Sequence, residues 1–478
     1  MTEISSLGGA RTAPVTVSAA APAPHGMWSS RMAFILAATG SAVGLGNVWK
    51  FPYITGENGG GAFVLVYLAC IAIIGLPIMM AEVMMGRRGR QSPINSMRRL
   101  AAEAGRSRRW AAVGWFGITA AFLILSFYSV IGGWAVAYVF QAGQGAFGGA
   151  SAEAISGLFS GLLADPWTLL AWHGAFMVLT ILVVARGVSG GLEKATSFMM
   201  PALFVILLIL VGYAMTTGRF GDGFSFLFSP DFSKLSVGGV LTALGHAFFT
   251  LSLGMGVMMA YGSYVPPGIS VAKTAVAVAA MDTAVALLAG LAIFPIVFAN
   301  GLEASAGPGL VFKTLPLAFG QMPFGTVFGT LFFVLLFFVL LVFAAWTSSI
   351  SLLEPLVEWL EEYRGINRIA AAVGGGFAAW LLGVASVLSF NLWADVAPLG
   401  MFEAFAGKTI FDLLDYLTAN IMLPLGGLAV ALFAGWTMTG AATRDELRMG
   451  EAGYRVWRFL IRYVSPVAVA TVFIYNLL

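Results

Sequence analysis

Two stretches of this 478-residue chain put polar groups where unbroken helix is expected. Ser41-Ala42-Val43-Gly44-Leu45-Gly46-Asn47 and Phe248-Phe249-Thr250-Leu251-Ser252-Leu253-Gly254-Met255-Gly256 each interrupt an apolar run with glycines, hydroxyls or an amide. Each glycine costs about 1 kcal/mol of helicity relative to alanine. Bare backbone at membrane depth is tolerated only where it is buried in protein or lines a polar cavity. One reading is a glycine contact face for a neighbouring helix. The other is a pair of half-helices joined by unwound backbone, whose N–H groups suit a carboxylate and whose carbonyls suit a hard monovalent cation. Gly254 follows Gly44 by 210 residues, and paired interruptions in two halves of a chain favour the second reading, with a site at the bilayer midplane.

Side chains near these breaks extend the chemistry. Asn47 and Thr250, one on each broken helix, can complete a cation site. Ala344, Thr347 and Ser348 share a helical face at i, i+3 and i+4, so a carbonyl and two hydroxyls can converge on an ion; Thr-Ser-Ser in a membrane helix also commonly bonds back to its own backbone. Asp282 lies at the centre of an apolar run, where a carboxylate costs about 2.5–3.5 kcal/mol, so it is a cation ligand or a protonated structural acid. Glu82 reads more naturally as a structural hydrogen-bond partner. Lys50 and Asp415 are either a weak pair across a vestibule, worth about 0–1 kcal/mol, or two unrelated interfacial charges. The single cysteine, Cys70, and three scattered histidines, His25, His173 and His246, argue against a disulfide or a metal centre of the zinc type.

The elements that must position these groups are membrane helices. The chain is 59% hydrophobic and 10% charged, with mean hydropathy +0.90, which places it among polytopic membrane proteins. Apolar runs predict eleven spans, at 29–54, 61–85, 110–141, 166–185, 194–216, 238–264, 271–300, 323–360, 367–390, 409–436 and 456–477. Residues 1–27 read as a disordered tail without a signal peptide, and 28–478 as one domain of the inverted-repeat transporter kind to which paired helix interruptions point. An odd number of spans per half requires the second half to be inverted, which gives repeats over 28–216 and 238–436 and an extra helix over 455–478. Basic residues set the orientation: eight arginines lie between Arg87 and Arg109, and Lys50, Arg219, Lys234, Lys313 and Lys408 are the five on the outer side of the 25 lysines and arginines. The expectation is a plasma (inner) membrane protein with its N-terminus cytoplasmic and Leu478 extracytoplasmic. The net charge of +3 gives no reason to expect a nucleic-acid partner.

The residues from Trp28 onward resemble the neurotransmitter:sodium symporters, in particular bacterial amino-acid transporters with eleven spans. The resemblance is carried by Gly-Ser-Ala-Val-Gly-Leu-Gly-Asn-Val-Trp-Lys-Phe-Pro (40–52), Glu-Asn-Gly-Gly-Gly-Ala-Phe (57–63), the 248–256 stretch and Thr-Ser-Ser (347–349). It implies a leucine-transporter-like, all-α fold of five-plus-five inverted repeats with helices 1 and 6 discontinuous. It implies a first sodium site from Ala42, Asn47, Thr250, Asp282 and the substrate carboxylate, and a second from Gly40, Val43, Ala344, Thr347 and Ser348. Substrate-lining positions would be Ser41, Ala42, Gly44, Leu45, Gly46, Ile124, Tyr128, Phe249, Thr250, Ser252, Met255, Ser348 and Leu352, with the Tyr128 hydroxyl on the carboxylate and Tyr128 and Phe249 covering the pocket. Lys50 and Asp415 would form the outer gate, and Trp28 and Glu362 would belong to the inner one.

Departures from the family pattern carry information too. Asp282 stands where relatives have asparagine, so a built-in carboxylate should make chloride unnecessary, and its protonation after sodium release would return a proton outward. Gly44 replaces the aspartate of amine carriers and points to a substrate bearing its own carboxylate. His25 replaces an arginine that pairs with an inner acid, which weakens that latch near pH 7, and Lys50 replaces an arginine, giving up bidentate pairing. Gly191 and Pro201 match a motif at which the start of span five unwinds. The expected function is sodium-coupled symport of a large hydrophobic or aromatic amino acid, with no organic cofactor. An amino-acid-gated channel or sensor would use the same cavity, and an enzyme would need a nucleophile beside a base, which no motif supplies.

Overall fold

The computed structural model describes residues 26–302, 304, 310–320 and 328–475. Most of the expected tail with His25, the beginning of the eighth expected span and Leu478 lie outside them. The described residues form helices and connecting turns with no strand, as expected of a chain that must satisfy its backbone hydrogen bonds without water. Among the described residues nine helices are long and apolar enough to cross a membrane: α3 (Gly61–Gly89), α5 (Arg108–Gly143), α6 (Pro166–Val184), α7 (Val188–Ala214), α10 (Val271–Ala299), α11 (Phe328–Arg364), α12 (Arg368–Leu388), α13 (Ile410–Thr437) and α14 (Glu451–Tyr475). A bent pair, α1 (Arg31–Ala42) and α2 (Gly46–Glu57), makes a tenth, with a 49° change of direction at the break. The remaining expected span is split into α8 (Val237–Thr250) and α9 (Val257–Ser263) by six residues, so neither piece alone is long enough to span.

The short α4 (Pro93–Glu103) links α3 to α5. The 36-residue α5 lies at the centre of the bundle and packs along α11, which accounts for its length beyond the hydrocarbon. Where backbones nearly touch, glycine is required: a Cβ on Gly86 of α3 would fall 1.9 Å from the Met259 carbonyl oxygen of α9, and one on Gly426 of α13 would fall 2.2 Å from the Gly254 carbonyl oxygen. Helix α11 continues through Pro355. Large apolar side chains such as Phe198, Leu208, Ile369 and Val467 stay exposed on the periphery, the surface a lipid-facing bundle presents.

Candidate functional site

The breaks in α1–α2 and α8–α9 face one another, and hydrogen bonds join them directly. Ser252, held at φ +54, donates its hydroxyl to the Ser41 carbonyl at 3.0 Å. The strain of a non-glycine residue in left-handed backbone is met by Gly254 and Gly256, both also at positive φ, which let the chain turn within two residues. Glu82 of α3 accepts the Gly254 N–H at 2.7 Å; that bond supports the structural reading of this acid, because it satisfies a donor that unwinding leaves without a helical partner. On the first broken helix, the Gly44 N–H donates to Asn47 Oδ1 at 3.0 Å and the Leu45 N–H to the Tyr128 hydroxyl oxygen at 2.9 Å.

Three of the expected cation-binding side chains meet behind this junction. Asn47 donates through Nδ2 to Asp282 Oδ1 at 2.8 Å and to its carbonyl at 3.0 Å, and the Thr250 hydroxyl lies 3.1 Å from both carboxylate oxygens. Ala42 ends α1 on the same turn. Asp282 is fully buried, and no lysine or arginine forms an ion pair with it among the described residues. While the Asn47 amide nitrogen faces Asp282 and its oxygen accepts the Gly44 N–H, the Asp282 carboxylate and Thr250 hydroxyl oxygens are hard ligands suited to an alkali ion rather than to a softer metal. Their fit is one of donor type and convergence.

The second expected group is divided by one residue of sequence. The Thr347 hydroxyl bonds back to the Phe343 and Ala344 carbonyls at 3.0 and 3.1 Å, as a β-branched hydroxyl in a helix does. The Ser348 hydroxyl crosses to the Ser41 and Val43 carbonyls at 3.2 and 3.4 Å. The back-bonded Thr347 proton leaves its oxygen lone pairs uncommitted. A Cβ at Gly40 would lie 3.2 Å from the Thr347 Cβ, so α1 and α11 touch here and bring Gly40, Val43, Ala344, Thr347 and Ser348 to one contact.

Ser41, Ala42, Gly44, Gly46, Ile124, Tyr128, Phe249, Ser252, Met255, Ser348 and Leu352 line one central pocket of about 20 Å³. Leu45 instead faces the larger cavity above, and Thr250 turns toward Asp282. No charged side chain among the described residues lines the central pocket. A Cβ at Gly44 would meet Ser348 Oγ at 2.5 Å and the Tyr128 hydroxyl at 2.6 Å, so this packing leaves no place for an aspartate there. The upper cavity measures about 360 Å³ and is walled by aromatic rings, including Trp134, Phe159, Phe390 and Phe411. Tyr128 and Phe249 line both spaces and form the partition between them.

Both ends of the pathway differ in detail from the expected gates. Lys50 and Asp415 face the upper cavity, yet no ion pair within 4 Å joins them; the Lys50 ammonium sits 5.0 Å from the centroid of the Phe249 ring. At the opposite end Trp28 is buried, donating Nε1–H to the Tyr261 carbonyl at 3.0 Å and packing edge-on against Tyr261 and Tyr264. Glu362 accepts the Ser92 N–H at 2.9 Å and Asn95 Nδ2 at 2.8 Å, at the N-terminus of α4, where a carboxylate is favoured. Sequence reasoning missed the acids above it: Glu354, paired with Arg368, and Glu358. Their signal was present as three glutamates spaced four apart on α11. The start of α7 is wound here, a wide helical turn over Val188–Leu192 leading into Glu193–Ala214 with Pro201 inside. His173 Nε2 lies 3.1 Å from the Trp380 carbonyl, and His246 packs against the rings of Phe51 and Tyr67.

Two discontinuous helices meeting around a pocket and an oxygen-rich cluster define a secondary transporter fold. The Sodium:neurotransmitter symporter family matches residues 25–151 and 160–478, and the chain belongs to that family. It is 39% identical over 451 residues to the uncharacterized sodium-dependent transporter YhdH of Bacillus subtilis, covering 94% of this chain and 96% of that one. It is 25% identical over 516 residues to the human sodium- and chloride-dependent GABA transporter 2, covering 95% of this chain and 80% of that one. Among solved structures it resembles MhsT in complex with L-phenylalanine, with a TM-score of 0.87, 42% identity, and coverage of 95% of this chain and 100% of MhsT.

Proposed function

We propose that this chain carries a neutral amino acid with a large hydrophobic or aromatic side chain into the cell together with sodium, by alternating access and without chloride. The observation that carries the reading is the pairing of a central pocket lined by no charged side chain with Asp282, Asn47 and Thr250 converging behind it. The substrate must then bring its own carboxylate, and a fixed protein carboxylate supplies the negative charge beside the ion. The Tyr128 hydroxyl already accepts from Leu45 N–H, so its one proton is left to donate to the substrate carboxylate. Ile124, Met255 and Leu352 offer an apolar wall for the side chain, with methionine adaptable to ring shapes. The phenylalanine bound to MhsT agrees with that class.

In this reading Ala42, Asn47, Thr250, Asp282 and the substrate carboxylate hold one sodium, and Gly40, Val43, Ala344, Thr347 and Ser348 hold a second. Lys50 and Asp415 close the outer end, and Trp28 and Glu362 belong to the inner seal. The repeats run over 28–216 and 238–436 with an added helix at 455–478, the N-terminus is cytoplasmic and the C-terminus extracytoplasmic. Two sodium ions entering with a zwitterion each contribute about 2.3 kcal/mol per 100 mV and about 1.4 kcal/mol per tenfold gradient. Together they bound accumulation near ~10⁵-fold. Uptake competition in proteoliposomes tests the assignment: leucine, phenylalanine or tryptophan should inhibit strongly. Inhibition by glutamate or lysine alone would refute it, as would uptake that does not require inward sodium.

A further inference from the structure

Glu354, Glu358 and Glu362 stand one turn apart on α11, along the face that meets the end of the second broken helix. The outer two are answered by donors. Glu354 accepts the Tyr264 hydroxyl at 2.8 Å and the Arg368 guanidinium, and Glu362 takes the Ser92 and Asn95 donors of α4. Glu358, fully buried between them, has one hydrogen-bond contact among the described residues: Ser263 Oγ, 2.7 Å from its Oε1. Its Oε2 has none.

A proton on Glu358 lets both short contacts of Ser263 be full hydrogen bonds. Ser263 Oγ also lies 2.7 Å from the Ala260 carbonyl oxygen. A hydroxyl has one proton to give, and a carbonyl can only accept. With the Ser263 proton on Ala260, the second 2.7 Å contact is a hydrogen bond only if Glu358 supplies the hydrogen. The surrounding charges agree. Arg368 is spent on Glu354, Glu361 and the Val184 carbonyl. Arg90, on the α3–α4 turn, reaches the Ser263 and Val265 carbonyls rather than the carboxyl. Tyr261 and Tyr264 present phenols, and Glu354 and Glu362 are like charges on either side. A buried carboxylate in that setting would have no ion-pair partner and, as donor, only the Ser263 hydroxyl that it shares with the Ala260 carbonyl, whereas a carboxylic acid is satisfied by one good acceptor.

We propose that Glu358 is a proton-binding site that holds its proton while the Trp28 end of the pathway is sealed and passes it to water when that end opens. Ser263 is the last residue of α9, the helix whose Tyr261 carbonyl holds Trp28. Moving that helix and Trp28 off α11 breaks the Ser263 contact and hydrates the carboxyl, which then ionises; resealing requires a proton from the same side. The proposal rests on alternating access and not on which amino acid is carried.

The test measures opening of the Trp28 end against pH with a pair of spin labels across it, in the full-length chain in nanodiscs. One linked proton makes the closed-to-open ratio fall by up to about tenfold per pH unit. Wild type should show that slope. Glu358→Gln, which keeps the shape and can donate an amide N–H to Ser263, should lose the one-proton component and favour the closed form while still binding substrate with sodium. An unchanged slope overturns the proposal. Infrared difference spectra of wild type with isotope-labelled glutamate settle it independently of how the variant folds: opening should remove a protonated glutamate carbonyl band, and a spectrum without that loss overturns the proposal. Failure of every amino acid in uptake, with the pH-dependent opening intact, would refute the substrate reading and leave the proton site standing.

Discussion

Replacing Asp282 by asparagine isolates charge from hydrogen bonding. Asparagine can keep its Oδ1 on Asn47 Nδ2, 2.8 Å from the present carboxylate oxygen, and turn its own amide N–H toward Thr250, whose oxygen now lies at 3.1 Å and can accept as well as donate. The network survives, and the full negative charge does not. Two unit charges about 4 Å apart interact by about 4 kcal/mol at an effective dielectric of 20. An amide oxygen still coordinating the ion recovers part of that, so the expected loss lies between about 1.4 and 4 kcal/mol, or about ten- to a thousandfold in sodium affinity. The assay is uptake of labelled phenylalanine into proteoliposomes over a sodium series, with chloride present or replaced by gluconate. In chloride-free medium Asp282→Asn should need at least about tenfold more sodium, and chloride should restore part of the deficit. Wild type should ignore chloride. Chloride dependence in wild type, or an unchanged sodium curve in the variant, would refute the charge argument.

Other expectations follow from the same contacts. Gly44→Ala forces a methyl group within 2.5 Å of Ser348 Oγ; with overpacking worth about 1–3 kcal/mol, equilibrium binding of phenylalanine should weaken by about tenfold or more, measurable by scintillation proximity. Glu82→Ala leaves the buried Gly254 N–H without its acceptor and should lower stability by about 1–3 kcal/mol, read by thermal unfolding in detergent, with Glu82→Gln costing less. Asp415→Asn should leave thermal stability within about 1 kcal/mol and slow uptake while equilibrium binding is kept; a large loss of stability would mean that the two gate charges are paired at rest.

What the sequence made legible was chemistry that shows as an anomaly against apolar background. Glycines beside Asn47 and beside Thr250 stand out in membrane helices, and so does Asp282, because each is expensive there unless it is used. Partners were harder to read. Thr347 and Ser348 look equivalent in sequence, yet one bonds back to its own helix and the other reaches across to α1, a choice made by side-chain branching and by the distance of the neighbouring backbone. Lys50 was expected opposite Asp415 and is found near the Phe249 ring, since a flexible ammonium takes whichever neighbour the cavity offers. The pairing of Glu354 with Arg368 spans a turn between two helices, where spacing alone does not distinguish a buried pair from a solvated charge run. The aromatic walls of the upper cavity come from six separate segments of chain, and nothing local marks such rings as neighbours.

One continuous rod, α11, carries Thr347 and Ser348 near its middle and the glutamate ladder toward its C-terminal end, ~21 Å apart at 1.5 Å per residue between Ser348 and Glu362. Pro355 interrupts its ladder between them, removing the bond that the Ser351 carbonyl would otherwise receive. A tug at the ion contact therefore reaches the seal through a single piece of backbone with one soft turn, and the stiffness of that turn sets how much of the pull is delivered and how much is absorbed.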